Sequence, residues 1–152
     1  MNGELICLDT CILIDWARDR NGKNSEKTRA MESMLESAQS GACRLCASTL
    51  VYPEILESKM SVAEMKKFHK FIGESEKMKI IPVDTGIAKK AQEIRSRYPK
   101  KTKKEKTIET PDAVHLATAI ALEAKVFHTD DRKLLALDGK DFVDGLRITK
   151  CV

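Results

Sequence analysis

Leu5 to Ile14, LICLDTCILI, is apolar on both sides of a single polar dyad, Asp9-Thr10. Leu5, Ile6, Cys7 and Leu8 carry no alternating polar residue, which predicts a short strand buried on both faces, as in parallel sheets. Cys11, Ile12, Leu13 and Ile14 continue the apolar run as a helix. Asp9 therefore stands where a strand hands over to a helix, and in open α/β sheets ligands bind at that carboxyl end. Taken alone, Asp9 also fits a plain helix cap, its oxygen accepting a bond from a helix N–H. What separates the two readings is whether other carboxylates arrive at the same place.

The chain has 152 residues, the size of one domain, and 42% of them are hydrophobic, enough for a core. No stretch approaches the ~18 continuous apolar residues of a membrane span. The start, MNGELICLDT, lacks the basic residues and cleavage site of a signal peptide. Five cysteines (Cys7, Cys11, Cys43, Cys46 and Cys151) are an odd number, mostly in apolar runs. They predict reduced thiols in a cytoplasmic protein. Cys43 and Cys46 make a C-x-x-C, but no second Cys or His pair stands at zinc-finger spacing. In the strand expected over Cys43 to Ser48, that spacing sends the two thiols to opposite faces.

Further along, a polar turn spans Arg18 to Asn24, and Ala30, Met31, Met34, Leu35 and Ala38 recur at helical spacing toward a Gly41 cap. A helix begins within Thr49 to Glu57, with Pro53 in its first turn and Glu54 directly after it. Ser61 and Glu64 form a capping box ahead of a Met65, Phe68 and Ile72 stripe, and His69 belongs on the exposed, lysine-rich face. KIIPV, Lys79 to Val83, reads as an edge strand because of its proline. Asp84 or Thr85 caps a helix that Tyr98-Pro99 ends. Seven cations then fall between Arg95 and Lys106 against the single Glu105. Such a run is either a solvated face or an arm that grips a polyanion, since lysines bind phosphates without needing sequence.

The run leads into Thr110-Pro111-Asp112, which predicts a helix with Thr110 as N-cap and Asp112 in its first turn. His115, one turn on, faces the same side and fits a satisfied structural histidine better than a ligand. Val126 to Thr129 is a strand that ends in Asp130-Asp131, Leu134, Leu135 and Leu137 belong to a short helix or turn, and Leu146 to Val152 is a last strand. The repeated βα pattern gives an α/β fold, a short parallel sheet with helices on both faces. Asp9, Glu54, Asp112 and Asp130 or Asp131 then all lie at strand ends or first helical turns. Those ends gather on one edge of a parallel sheet. Carboxylates crowded there raise one another's pKa, and a cation relieves them. Hard oxygen donors suit Mg²⁺ or Mn²⁺, which activate water and clamp a phosphodiester.

LDTCILID at Leu8–Asp15, the Glu54 helix start, TPDAVHLATAIA at Thr110–Ala121 and HTDDRKL at His128–Leu134 together resemble, in order and interval, the PIN-domain proteins, most of all the VapC-type ribonuclease toxins. The resemblance implies a single PIN-like domain over residues 1–152, a three-layer α/β/α sandwich with a mostly parallel sheet. It implies a metal-dependent endoribonuclease using Mg²⁺ or Mn²⁺, with Asp9, Glu54, Asp112 and Asp131 as the acidic set. Asp9, Asp112 and Asp131 would hold metal, and Glu54 would position water or a second ion. In the family's last motif the acid stands two places after the threonine, so Thr129 points to Asp131, with Asp130 as helper. Thr10 resembles the family's hydroxyl residue, which orients a metal-bound water or a phosphate. Lys100, Lys101, Lys103, Lys104 and Lys106 would bind RNA. A small antitoxin and a homodimer are the implied partners. The sequence departs from the family's pattern at Cys11, often asparagine or serine, and in its long basic tract. A second reading keeps the fold but makes it a non-catalytic RNA-binding or scaffold domain. A D-x-D phosphatase is disfavoured because Cys11 occupies the second acid's position.

Overall fold

A computed structural model describes residues 3–18, 26–74, 76 and 78–151. The expected turn at residues 18–24 lies, apart from Arg18, outside them. The chain forms β1 (Glu4–Leu8), α1 (Thr10–Arg18), α2 (Glu26–Gln39), β2 (Cys43–Ser48) and α3 (Val51–Ile55), which tightens into a 3₁₀ turn at Leu56–Ser58. Then follow α4 (Val62–Glu74), β3 (Met78–Ile81), α5 (Thr85–Arg97) and α6 (Thr110–Ala121). β4 (Val126–His128), α7 (Arg132–Leu135), a 3₁₀ turn at Asp141–Val143 and β5 (Arg147–Thr149) complete it.

The five strands pair in the order β3-β2-β1-β4-β5, and every pairing is parallel. β3 lies at one edge as expected, but it ends at Ile81, so Pro82 and Val83 fall just outside the strand. The chain moves from β1 to one side for β2 and β3, then returns to the other side for β4 and β5. The end of β1 is thus the point where strand order reverses, and a crevice opens there.

Both faces of the sheet are covered, which explains the unbroken apolar runs. Leu8, Leu45 and Ala47 pack with Ile12, Leu13, Met31, Ile55 and Phe68 from α1–α4. Cys7, Cys46 and Phe127 point the other way, against Ile87, Ile94, Ala113, Leu116 and Ala117 from α5 and α6. The alanines of α6 let it approach the sheet closely. Cys43 and Cys46 do fall on opposite faces.

Local signals act as expected at several ends. The Ser61 amide donates to Glu64 Oε1 at 2.7 Å and the Glu64 amide to Ser61 Oγ at 3.2 Å, the reciprocal box. Asp84 caps α5 by accepting from the Ile87 amide at 2.8 Å. His69 is exposed. At α6 the cap is one residue earlier than expected. Glu109 has the extended N-cap conformation, and its carbonyl accepts the first helical bond, from Ala113 at 3.1 Å. Thr110 is already helical, and Pro111 still falls where no N–H is required.

The expectation of five free thiols is corrected. Cys7 and Cys46 form a disulfide. They lie directly opposite each other in the β1–β2 pairing, with Cα atoms 4.7 Å apart. Cys11, Cys43 and Cys151 are free. Among the described residues no helix is long and apolar enough to cross a membrane.

Candidate active site

Asp9 leaves the end of β1 at the reversal point and is only 5% exposed. Its amide bonds the His128 carbonyl at 3.0 Å, tying it to β4. Its Oδ2 accepts from the Thr129 hydroxyl at 2.7 Å. The same hydroxyl oxygen accepts the Asp131 amide at 3.0 Å. Thr129, fully buried, therefore fixes the spacing between the two acids that end β1 and β4. Asp131 also caps α7, accepting from the Lys133 amide at 2.8 Å.

Glu54 enters from α3, which follows β2. Its Oε1 accepts the Thr10 hydroxyl at 2.9 Å and pairs with His115 Nε2. His115 Nε2 is also 3.1 Å from Thr10 Oγ1. Thr10 and His115 are 3% and 1% exposed, so the clamp is buried on their side while Glu54 stays partly open to the cleft. Thr10 thus spends its hydroxyl on Glu54. His115 is indeed a buried, partnered histidine, but its partner is one of the four acids. Its other nitrogen, Nδ1, is buried with no described partner.

Asp112 stands in the first turn of α6 and takes no hydrogen bond from any described residue. Asp9, Glu54, Asp112 and Asp131 all line one cleft of about 490 Å³. Asp130 lines it too, but its Oδ2 is paired with Lys27 Nζ at 3.0 Å.

The charges behave as a crowded group. Burial pushes the Asp112 carboxyl up to about 7, with Asp9, Asp131 and Glu54 adding repulsion and His115 opposing it. Burial also raises Asp9, against the pull of His115 and the Thr129 bond. Glu54 goes the other way. Partial burial pushes it up, but the His115 bond and charge and the Thr10 bond outweigh that and hold it below the usual range. Burial lowers His115, yet the Glu54 bond and the charges of Asp9, Glu54 and Asp112 win and raise it. Both shifts favour the charged forms of this pair.

Sequence reasoning missed Arg18, which lines the cleft from the last turn of α1 along with Cys11, Ile14 and Asp15. The signal was there, since residues 11, 14 or 15 and 18 recur at helical spacing. Lys100, Lys101, Lys103, Lys104 and Lys106 are all exposed, and none of them lines the cleft. Their loop is pinned at its base, where the Arg95 Nε donates to the Ile108 carbonyl at 3.0 Å and Thr107 Oγ1 to the Arg95 carbonyl at 2.6 Å.

The sequence profile of the PIN domain matches residues 6–140. The chain belongs to the PIN-domain family. Solved structures similar to this PIN domain include VapBC2 from Rickettsia felis bound to a promoter DNA fragment, at 18% identity and TM-score 0.65, covering 95% of this chain and 96% of that one. VapBC from Salmonella typhimurium bound to DNA matches at 18% identity and TM-score 0.64, covering 98% and 99%. Mycobacterium tuberculosis VapC20, a sarcin-ricin loop cleaving toxin, matches at 15% identity and TM-score 0.61, covering 83% and 89%. At such identities the likeness is one of fold. No curated protein sequence matches the chain.

The donor set fits a divalent ion in kind. It is made of carboxylates, one of them unbonded and held near 7 by burial and by its neighbours' charge. Among the described residues no three such side chains stand close enough together to hold an ion as they are. An ion there would be held directly by one or two of the carboxylates, with water completing its shell.

Proposed function

We propose that this PIN domain is a Mg²⁺- or Mn²⁺-dependent endoribonuclease, the toxin of a toxin–antitoxin pair. The observation that carries this reading is the unbonded Asp112, pushed up to about 7 among Asp9, Glu54 and Asp131 in one cleft. Acids so placed are costly to a fold and useful to a metal-dependent hydrolase. Asp9, Asp112 and Asp131 would hold the ion, which when bound activates water and neutralises charge building on the phosphodiester. Thr129 keeps Asp9 and Asp131 in register. The Thr10–His115 clamp holds one oxygen of Glu54, leaving the other for a water at the cleft. Arg18 supplies a positive wall for the scissile strand, and Lys100–Lys106 grip phosphates farther along it.

The solved VapBC structures contain a partner protein, and we propose a small antitoxin and a second copy of this chain as partners here. Leu56 and Val62, each 74% exposed, offer apolar surface for such contacts. We propose the cytoplasm as its compartment. There the Cys7–Cys46 bridge, at most 2% exposed on either side, is shielded from soluble reductants. The non-catalytic RNA-binding reading draws on the basic loop's separation from the acids. Cleavage of a structured RNA by purified, partner-free protein with Mn²⁺ or Mg²⁺, with EDTA, and with Asp9→Asn decides between the two. The nuclease reading predicts cutting that needs both metal and Asp9. Salt-sensitive binding with no cutting under any ion would establish the other.

A further inference from the structure

Beside the acid cleft lies a second depression of about 280 Å³, more enclosed than the cleft. It opens between α1 and α2 and shares Asp15, Arg18 and Asp130 with the cleft as a common wall. Its floor is apolar and buried, with Ile12 and Cys151 each 6% exposed and Met31 2%. Its rim is polar, since Lys27 Nζ and Asp130 Oδ2 set a donor and an acceptor 3.0 Å apart. Trp16 forms one side. Its indole is braced by Phe71, ring centroids 4.8 Å apart, and by Lys67, whose ammonium lies 4.3 Å from the ring centroid. Lys67 also donates to the Trp16 carbonyl at 3.0 Å. The wall is thus ordered before any ligand arrives, which lowers the entropy lost on binding.

We infer that this depression is a subsite for one nucleobase of single-stranded RNA, the base beside the phosphodiester held at the acids. The inference rests on the reading of the acid cleft as a phosphodiester site. The volume falls just under the ~300–1,000 Å³ of small-molecule sites, room for one ring system. An apolar floor under a donor–acceptor rim matches a base, whose faces are apolar and whose edge carries hydrogen-bonding groups. The shared wall sets the pocket directly beside the cleft, and Arg18, on both cavities, is a cation where the linking sugar–phosphate would pass. A purely apolar peptide side chain would leave the Lys27–Asp130 pair desolvated and unused. The pocket therefore selects which base flanks the cut.

Trp16 is the only tryptophan in the chain, so its fluorescence reports this pocket directly. A short single-stranded RNA is titrated in EDTA, beside the same RNA made abasic at single positions in turn. The intact RNA changes Trp16 emission saturably. One abasic position weakens that response by about tenfold, the scale of one lost base contact. Thr28→Phe, whose ring fills the depression, removes the difference between the two RNAs. Should that variant not fold, the abasic comparison on the unaltered protein still decides. Intact and abasic RNAs acting alike on Trp16, or no response while anisotropy of a labelled RNA shows it bound, would overturn the inference. Because the assay needs no turnover, a base-dependent response without cleavage under any metal would sink the nuclease reading alone. Cleavage with a silent Trp16 would sink the subsite alone.

Discussion

Asp112→Asn is expected to stabilise the metal-free protein while removing its activity. The Asp112 carboxyl is pushed from 3.8 to about 7, chiefly by burial and then by Asp9 and Asp131. A raised acid is neutral in the folded state below its unfolded value, so no penalty exists there. The penalty grows as pH rises from about 4 to 7, where the unfolded carboxyl ionises and the folded one resists, and is complete above 7. At ~1.4 kcal/mol per unit the full shift corresponds to about 4 kcal/mol. Asp112 is only part-buried, and solvent screening reduces this to about 2 kcal/mol. For a chain of this size that corresponds to a rise in melting temperature of roughly 4–8 °C. Thermal melts in EDTA at pH 8 and pH 4 read it directly. The variant should gain at pH 8 and hardly at all at pH 4. Mn²⁺ should stabilise the native protein at pH 8 more than the variant. A variant no more stable than the native protein at pH 8, or equally stabilised at both pH values, would refute the idea that burial and crowding hold Asp112 up.

Thr10→Val removes one bond to Glu54, so stability should fall by about 1 kcal/mol and cleavage should drop, with kcat more affected than KM. His115→Phe leaves Glu54 without its cation, and we expect a loss of about 1–3 kcal/mol in denaturant unfolding together with slower cutting. Replacing both Cys7 and Cys46 by alanine reopens a loop between positions 39 residues apart and should cost about 4 kcal/mol, read as a lower midpoint in urea. An unchanged midpoint would contradict the bridge. Changing Lys100, Lys101, Lys103, Lys104 and Lys106 to alanine should weaken RNA binding and flatten its dependence on salt, with the cut position unaltered.

Much of this fold was legible because the signals were local. The unbroken run before Asp9, the Ser61–Glu64 box and the proline beside β3 each settle one element without distant partners. The acids could be placed on one sheet edge by topology alone, since a parallel βα repeat sends every strand end the same way. What stayed hidden depends on pairing across the chain. Cys7 and Cys46 meet because β1 and β2 align in one register out of several, and no spacing in the sequence shows it. His115 reads as a structural histidine until α3 and α6 are seen to bring it to Glu54. Arg18 lies on the same helical stripe as Cys11, but only the closed cleft gives that stripe a meaning. The lysine tract misled differently. Its nearness in sequence to Asp112 suggested nearness to the acids, while none of its lysines lines their cleft.

Single-turnover cleavage of an end-labelled structured RNA, by native protein and by Asp112→Asn prepared identically, bears most directly on the acid cleft as a metal-dependent nuclease site. Cutting by the native protein that appears with Mn²⁺ or Mg²⁺, stops with EDTA and is absent from a folded Asp112→Asn is the result expected. Cutting that persists in Asp112→Asn, or in the native protein without divalent metal, would contradict it.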